Sequence, residues 1–310
     1  MKIAILGTGA MGSLFGARLG RAGNDLMLID VNPDQVNAIN RNGLRLEDDH
    51  GTSILRAPAG SAADFSAPVD LLIVFTKSYH TALALSEAAH LVDDQTAILS
   101  LQNGLGAADR ISAACGDSII LHGMTNWPAD LKAPGVVSSH GEGEVRLWSV
   151  RDADQDRADI VANALDAAGL GAVADPGTTI KIWEKVLFNA VMNPVAALTR
   201  KTVGDMAGHP DGRALAASIL AEGFAIARKE GVDVEPARVQ AAVEHAYANH
   251  RAHRPSMLHD VLAGRPTEID SIVGELVTRS ARYGLSTPVL ETISRLVRMI
   301  DGHGLDNERR

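Results

Sequence analysis

Lys185, Asn189 and Asn193 stand four residues apart within a run, residues 181–198, that is otherwise largely apolar. On a helix, at about 100° per residue, they drift by only about 80° and make a single polar stripe. Ile182, Val186, Leu187, Phe188, Ala190, Val191 and Met192 cover most of the remaining circumference, the pattern of a helix buried nearly all round. An ammonium and two carboxamides in such surroundings need partners, because an unpaired buried polar group costs roughly 1–3 kcal/mol. Two arrangements supply them: an internal hydrogen-bond network, or a bound polar molecule facing the stripe.

The elements that would position such a site begin at the N-terminus. Residues 2–6 read as a short apolar strand, followed by Gly7, Thr8, Gly9, Ala10, Met11 and Gly12, then by helical periodicity over residues 13–19. This is G-x-G-x-x-G between strand and helix, where the first glycine allows the tight turn and the second lets backbone approach a pyrophosphate. The third brings helix and strand close, and the helix N-terminal amides hold the phosphates. A second strand, residues 26–29, ends in Asp30, about 20 residues on, where a carboxylate accepts from the adenosine ribose and repels a 2′-phosphate. Asp30 therefore favours NAD(H), although an acid before Asn32-Pro33 also suits an ordinary turn. No Lys or Arg follows it until Arg41.

The apolar run 71–75 reads as a parallel strand buried on both faces and carries Lys77 at its carboxyl end. Residues 97–101 deliver Asn103 to the same edge, where ligands of open α/β sheets gather, and Asn103-Gly104 is equally a turn dipeptide. Further strands are expected at 118–123 and 173–174. Residues 135–137 with 141–148 look like a hairpin closing the sheet, and 152–168 like a helix. Pro176-Gly177 marks a boundary. Beyond it come helical patterns at 213–230, 235–250, 267–283 and 288–299, the third opened by a capping box of Thr267 with Asp270 that leaves Glu268 in the first turn. The expected architecture is an α/β Rossmann-type dinucleotide-binding domain over residues 1–175 and an all-α domain over residues 176–310.

The whole chain narrows the function classes. At 310 residues, with 46% hydrophobic residues, it has the length for two cores and the composition of a globular protein. No apolar run approaches the roughly 20 residues that span a bilayer, and the glycines and Arg18 interrupt any signal-peptide core, so a cytoplasmic enzyme is expected. The single cysteine, Cys115, permits no intramolecular disulfide. The net charge of −9, with neither half markedly basic, argues against a nucleic-acid partner. His245, His250, His253 and His259 match no standard ligand spacing, so no metal is expected.

Residues 254–261, with Ser256-Met257-Leu258 and Asp260, and residues 267–270, Thr-Glu-Ile-Asp, complete a set with the Lys185 helix and the N-terminal glycines. Together they resemble the ketopantoate reductase (2-dehydropantoate 2-reductase) family over nearly the whole chain. The resemblance implies reduction of a 2-oxo acid, ketopantoate above all, to the (R)-2-hydroxy acid, with pantoate feeding pantothenate synthesis. It makes Lys185 the proton donor, Asn189, Asn193 and Ser256 substrate-binding residues, and Asn103 a contact to both substrate and cofactor. Lys77, Ala129 and Glu268 match cofactor contacts. Two positions depart from the family pattern. Asp30-Val31 stand where an arginine usually holds the 2′-phosphate of NADP(H), the usual family cofactor, and Val203 replaces a further asparagine. An NAD-using branch that looks like this family reduces other branched or aromatic 2-oxo acids. A homodimer through the helical half is compatible with this pattern. The competing readings are a β-hydroxyacid dehydrogenase, which would place a glycine-rich turn ahead of the lysine, and a non-catalytic dinucleotide-binding redox regulator.

Overall fold

In the computed structural model, which describes residues 1–301, the chain forms two compact units. One comprises Met1–Gln102 and Ala107–Thr178, the other Asn103–Gly106 and the chain from Thr179 on. The first begins β1 (Lys2–Leu6), α1 (Ala10–Arg21), β2 (Asp25–Ile29) and α2 (Pro33–Asn42), then β3 (Leu44–Asp48), β4 (Gly51–Leu55) and the short β5 (Ala59–Gly60). It continues through β6 (Leu71–Val74), α3 (Thr81–Glu87), β7 (Ala97–Ser100), α4 (Ala107–Cys115) and β8 (Ile119–Thr125). After β9 (Asp130–Ala133), β10 (Val136–Ser139) and β11 (Val145–Ser149), it closes with α5 (Gln155–Ala167) and β12 (Ala172–Ala174).

The main sheet runs β12-β11-β8-β7-β6-β1-β2-β5, parallel except where β11 meets β8. Its central strands are buried from end to end, as apolar runs packed on both faces must be. β1 lies between β2 and β6, so the strand order reverses there. Leu6 pairs with Ile29 on one side and Val74 on the other, which aligns the three carboxyl ends and brings Gly7, Asp30 and Lys77 to one edge of this unit. That reversal point is where open α/β sheets take their ligands.

The expected hairpin of residues 135–137 with 141–148 does not form. β11 joins the main sheet, whereas β10 belongs to a separate four-stranded sheet, β4-β3-β10-β9, lying parallel to β3 and antiparallel to β9. Alternation identified both segments as strands but carries no information on partners. β3 and β4, an antiparallel pair turning at Asp49-His50, create the edge that β10 takes.

The helical unit is built on α6 (Thr178–Thr199), followed by α7 (Val203–Ala207), α8 (Pro210–Lys229), α9 (Pro236–Asn249) and α10 (Ser256–Leu262). A five-residue π-turn, Asp270–Gly274, leads into α11 (Glu275–Arg282), and α12 (Pro288–Asp301) ends the described chain. α6 is the axis of this unit's core: Trp183, Val186, Leu187, Ala190, Val191, Met192, Ala196 and Ala197 are all buried with Ile219, Val243, Leu258, Ile272 and Leu290. Pro194 lies inside α6 and cannot donate to the Ala190 carbonyl.

The capping box expected between Thr267 and Asp270 does not form. The Thr267 hydroxyl accepts from the Ile269 N–H at 3.3 Å, but the Asp270 carboxylate turns to Arg298, 2.7 Å from Nε. An arginine on α12 offers that carboxylate a charge-assisted bond, stronger than the one the Thr267 amide would give, and this amide bonds Asp301 instead. No helix among the described residues is long and apolar enough to cross a membrane.

Candidate functional site

In the first unit the glycine loop is braced from behind. Thr8 is fully buried; its N–H and hydroxyl both donate to Asp30 Oδ2, at 2.7 and 3.0 Å. Its carbonyl accepts from Gln35 Nε2 at 2.7 Å and Ser13 Oγ at 2.9 Å. Every donor of Thr8 is thus used inside the protein, and Thr8 shapes the loop with no N–H to spare for a phosphate. The open amides are those that follow it, at the start of α1, whose N-cap Gly9 has no side-chain cap and whose first turn holds no acid. A Cβ on Gly9 would meet nothing within 4 Å, whereas one on Gly12 would lie 1.9 Å from the Gly7 carbonyl oxygen. The helix end is therefore open in front and tightly packed behind, a cradle that fits a dinucleotide pyrophosphate.

Asp30 is only partly buried, and its Oδ1 accepts from the Asn32 N–H at 2.9 Å. Three hydrogen bonds fix this carboxylate while leaving it acceptor capacity for ribose hydroxyls. Val31 is 83% exposed and Asn32 caps α2 through the Asp34 N–H at 3.0 Å, so nothing from Asp30 to the start of α2 supplies a positive charge for a 2′-phosphate. Lys77 follows β6 and is partly buried. Ala129 lines a cavity of about 200 Å³ with Glu47, Lys132 and His140. It lies two residues past Trp127, whose indole donates to the Leu170 carbonyl at 2.8 Å under the Arg18 guanidinium, 3.9 Å from the ring centroid.

Two supporting residues were invisible to sequence reasoning. Gln35 is buried on α2, and besides holding Thr8 it accepts the Gly135 N–H at 2.8 Å. Gln102, at the end of β7, donates to the Thr76 carbonyl and to Thr81 Oγ1 at 2.7 Å, pinning the turn that carries Lys77. Their signal was a long polar side chain at an otherwise apolar position, too common to read without contacts.

Asn103, Lys185, Asn189, Asn193, Ser256 and Glu268 all belong to the second unit, although Asn103 comes from the first half of the sequence. The Lys185 ammonium is lowered from 10.5 to about 8, because burial penalises its charge more than the nearby Glu268 carboxylate restores it. Asn193, 4% exposed, accepts through Oδ1 from Ser256 Oγ at 3.3 Å and from the Met257 N–H at 3.4 Å. An N–H can only donate, so the Met257 amide fixes which end of the carboxamide is oxygen, and the amino end has no protein partner among the described residues. The Asn189 carboxamide likewise makes no hydrogen bond among the described residues. Part of the polar stripe is thus an internal network, and part makes no protein hydrogen bond among the described residues. Of the remaining candidates, His245 and His250 stack edge to face, and no group of three or more His, Cys, Asp or Glu converges among the described residues. Cys115 is partly buried, and burial raises its thiol.

The sequence pattern of the ketopantoate reductase PanE/ApbA family matches residues 3–151, and that of its C-terminal part matches residues 179–301. The chain belongs to the ketopantoate reductase family. It is an NAD(P)-dependent reductase of 2-oxo acids. Relatives of this reductase include the 2-dehydropantoate 2-reductase of Streptococcus pyogenes serotype M6, 33% identical over 298 residues, 96% of this chain and 97% of that protein. The 2-dehydropantoate 2-reductase of Halobacterium salinarum is 30% identical over 98% of this chain and 100% of its own. Among solved structures, a D-mandelate dehydrogenase in ternary complex with NADH and anilino(oxo)acetate matches with a TM-score of 0.93 at 30% identity, covering 98% of this chain and 99% of its own. A PanE/ApbA family ketopantoate reductase from Ralstonia eutropha JMP134 matches with a TM-score of 0.89 at 28% identity, over 98% of this chain and 99% of its own.

The lowered lysine of this reductase has a consequence for stability. An amine whose folded pKa lies below its unfolded value opposes folding while both states are charged, and the penalty is relieved as pH rises from about 8 toward 10.5. Lys185→Met is therefore expected to raise the melting temperature at pH 7, by the equivalent of about 1–3 kcal/mol, and to lose that advantage by about pH 10.5. Melting curves at pH 7 and 10.5 check this; a variant less stable at pH 7 would show that the charge favours the fold.

Proposed function

We propose that this reductase uses NADH to reduce a branched or aromatic 2-oxo acid to the (R)-2-hydroxy acid, with Lys185 as proton donor. The observation that carries the cofactor half is Asp30, a fixed carboxylate where a 2′-phosphate would need a cation. The similarity to a D-mandelate dehydrogenase solved with NADH supports the same choice. Gly9, Ala10, Met11 and Gly12 would hold the pyrophosphate, Asp30 the adenosine ribose, and Lys77, Ala129, Asn103 and Glu268 the remainder of the dinucleotide. When bound, the nicotinamide supplies a hydride to the carbonyl carbon of the acid.

The chain's own part is electrostatic. Negative charge grows on the substrate carbonyl oxygen, and the Lys185 ammonium stabilises that charge and then gives it a proton. A proton donor with a pKa of about 8 parts with its proton far more readily than an ordinary lysine. Glu268 opposes the effect of burial and favours the charged amine. The Asn189 carboxamide and the amino end of Asn193, both without protein partners among the described residues, bind the substrate's oxygens beside Ser256. Because the lysine and both asparagines stand on one helix packed into a core, their spacing is set by backbone.

Ketopantoate is the second reading, favoured by relatives about 30% identical that carry the name 2-dehydropantoate 2-reductase. A spectrophotometric screen of NADH and NADPH oxidation against ketopantoate, 2-oxoisovalerate and phenylglyoxylate separates the two. NADH is expected to exceed NADPH in kcat/KM by at least about tenfold, the equivalent of one like-charge contact in a partly exposed site. A preference for NADPH would remove Asp30 from cofactor choice. Tight cofactor binding with no oxidation by any 2-oxo acid would replace the enzyme with a redox-sensing regulator.

Lys185→Ala is expected to lower kcat by about 10²–10⁴-fold while the dissociation constant for NADH stays within a few-fold; wild-type turnover would exclude the lysine from the chemistry. In the parent enzyme, reduction needs the ammonium, so kcat/KM for the 2-oxo acid should be flat below pH 8 and fall about tenfold per unit above it. Oxidation of the hydroxy acid needs the free amine and should rise over the same range.

A further inference from the structure

Asn103 reaches the helical unit through a contact that depends on a single glycine. Gly104 has a φ of +97°, in the left-handed region, and a Cβ built on it would lie 2.2 Å from the Ser271 carbonyl oxygen and 2.8 Å from Ser271 Cβ. That close approach lets the next N–H, of Leu105, donate to the Ser271 carbonyl at 2.8 Å. The Leu105 side chain, 6% exposed, is buried in the helical unit's core. Ser271 sits in the π-turn Asp270–Gly274, where the Glu275 N–H bonds back five residues to the Asp270 carbonyl. That amide is thereby withdrawn from Ser271, whose carbonyl takes the Leu105 N–H instead. Ser271 Oγ in turn donates to the carbonyl of Glu268 at 3.1 Å, and Glu268 is the acid facing Lys185.

We infer that Gly104 and the π-turn at Ser271 form a backbone clip that sets Asn103 in register with Glu268 and Lys185, making Gly104 and Ser271 positioning residues of the reductase site. The inference rests on the proposed roles of Asn103, Glu268 and Lys185. π-turns are rare and frequent at functional sites; here the irregularity, at the start of a helical segment, yields a carbonyl acceptor next to the acid that tunes the proton donor. An ordinary α-helical turn would bury that acceptor in its own ladder. Any side chain at position 104 would push residues 103–105 off the carbonyl, and displacement of a substrate-positioning group by about 1 Å costs about 10²-fold in rate.

The test is Gly104→Ala, read by three measurements on the full chain. Turnover of the best 2-oxo acid with NADH should fall by about 10²-fold. The affinity for ADP-ribose, which engages the glycine loop and Asp30 but has no nicotinamide, should stay within about threefold of the parent, since residues 7–30 are untouched; a general folding defect would lower both together. Amide hydrogen exchange should show Leu105 protected in the parent, at least about 100-fold over the unfolded rate, and unprotected in the variant. Turnover within about threefold of the parent, or loss of turnover and ADP-ribose binding in proportion, overturns the inference. Should the alanine variant not fold, exchange in the parent decides it: a Leu105 amide that exchanges like an exposed loop overturns the clip. If the parent reduces no 2-oxo acid, the proposed function falls, and exchange still reports on the clip independently.

Discussion

A lysine charge held in an apolar helix is the constraint around which the second unit is arranged. Burial disfavours the ammonium and brings it down to about 8, within reach of neutral pH, and the Glu268 carboxylate pushes the other way. The two influences oppose each other: an exposed lysine keeps its proton firmly, and burial without an acid nearby drives an amine toward its neutral form. The tuning therefore depends on placing Glu268 correctly, just ahead of a π-turn that ties it through Ser271 to residues 103–106.

The dinucleotide half follows a different logic. There the backbone amides at the start of α1 are uncapped by side chains, and the loop before them is held by the side chains of Asp30, Ser13 and Gln35. Asp30 takes both donors of Thr8 and the Asn32 amide, so one carboxylate braces the glycine loop. The carboxylate cannot easily swing away from a 2′-phosphate, because doing so would strand a buried Thr8 amide. Gln35 extends the brace to Gly135 in the second sheet, which gives the four-stranded sheet a part in holding the phosphate loop.

What could be read from the sequence was what local chemistry encodes. Strand, glycine loop and helix at residues 2–19, the acid at the end of the second strand, and the single-faced stripe of Lys185, Asn189 and Asn193 all follow from periodicity of 2 or 3.6 and from the steric demands of glycine. The α/β-then-helical order was legible for the same reason. Pairing was not: alternation marked residues 136–139 and 145–149 as strands, yet their partners, β3 and β8, lie elsewhere in the chain. The Thr267 capping box failed similarly, because Arg298 and Asp301, some thirty residues on, outbid the local bonds.

By itself, then, the sequence determined the chemical types and their local spacing: an amine and two amides on one helix, a phosphate loop, a carboxylate in place of a cation. Only the tertiary structure decided the environment that gives those groups their properties. Desolvation of Lys185, the engagement of Asn193 by Ser256 against the open amide of Asn189, and the membership of Asn103 in the helical unit all depend on residues distant in sequence. A side chain's pKa and its free lone pairs are set by what surrounds it in space, and local periodicity reports only which face of an element it occupies.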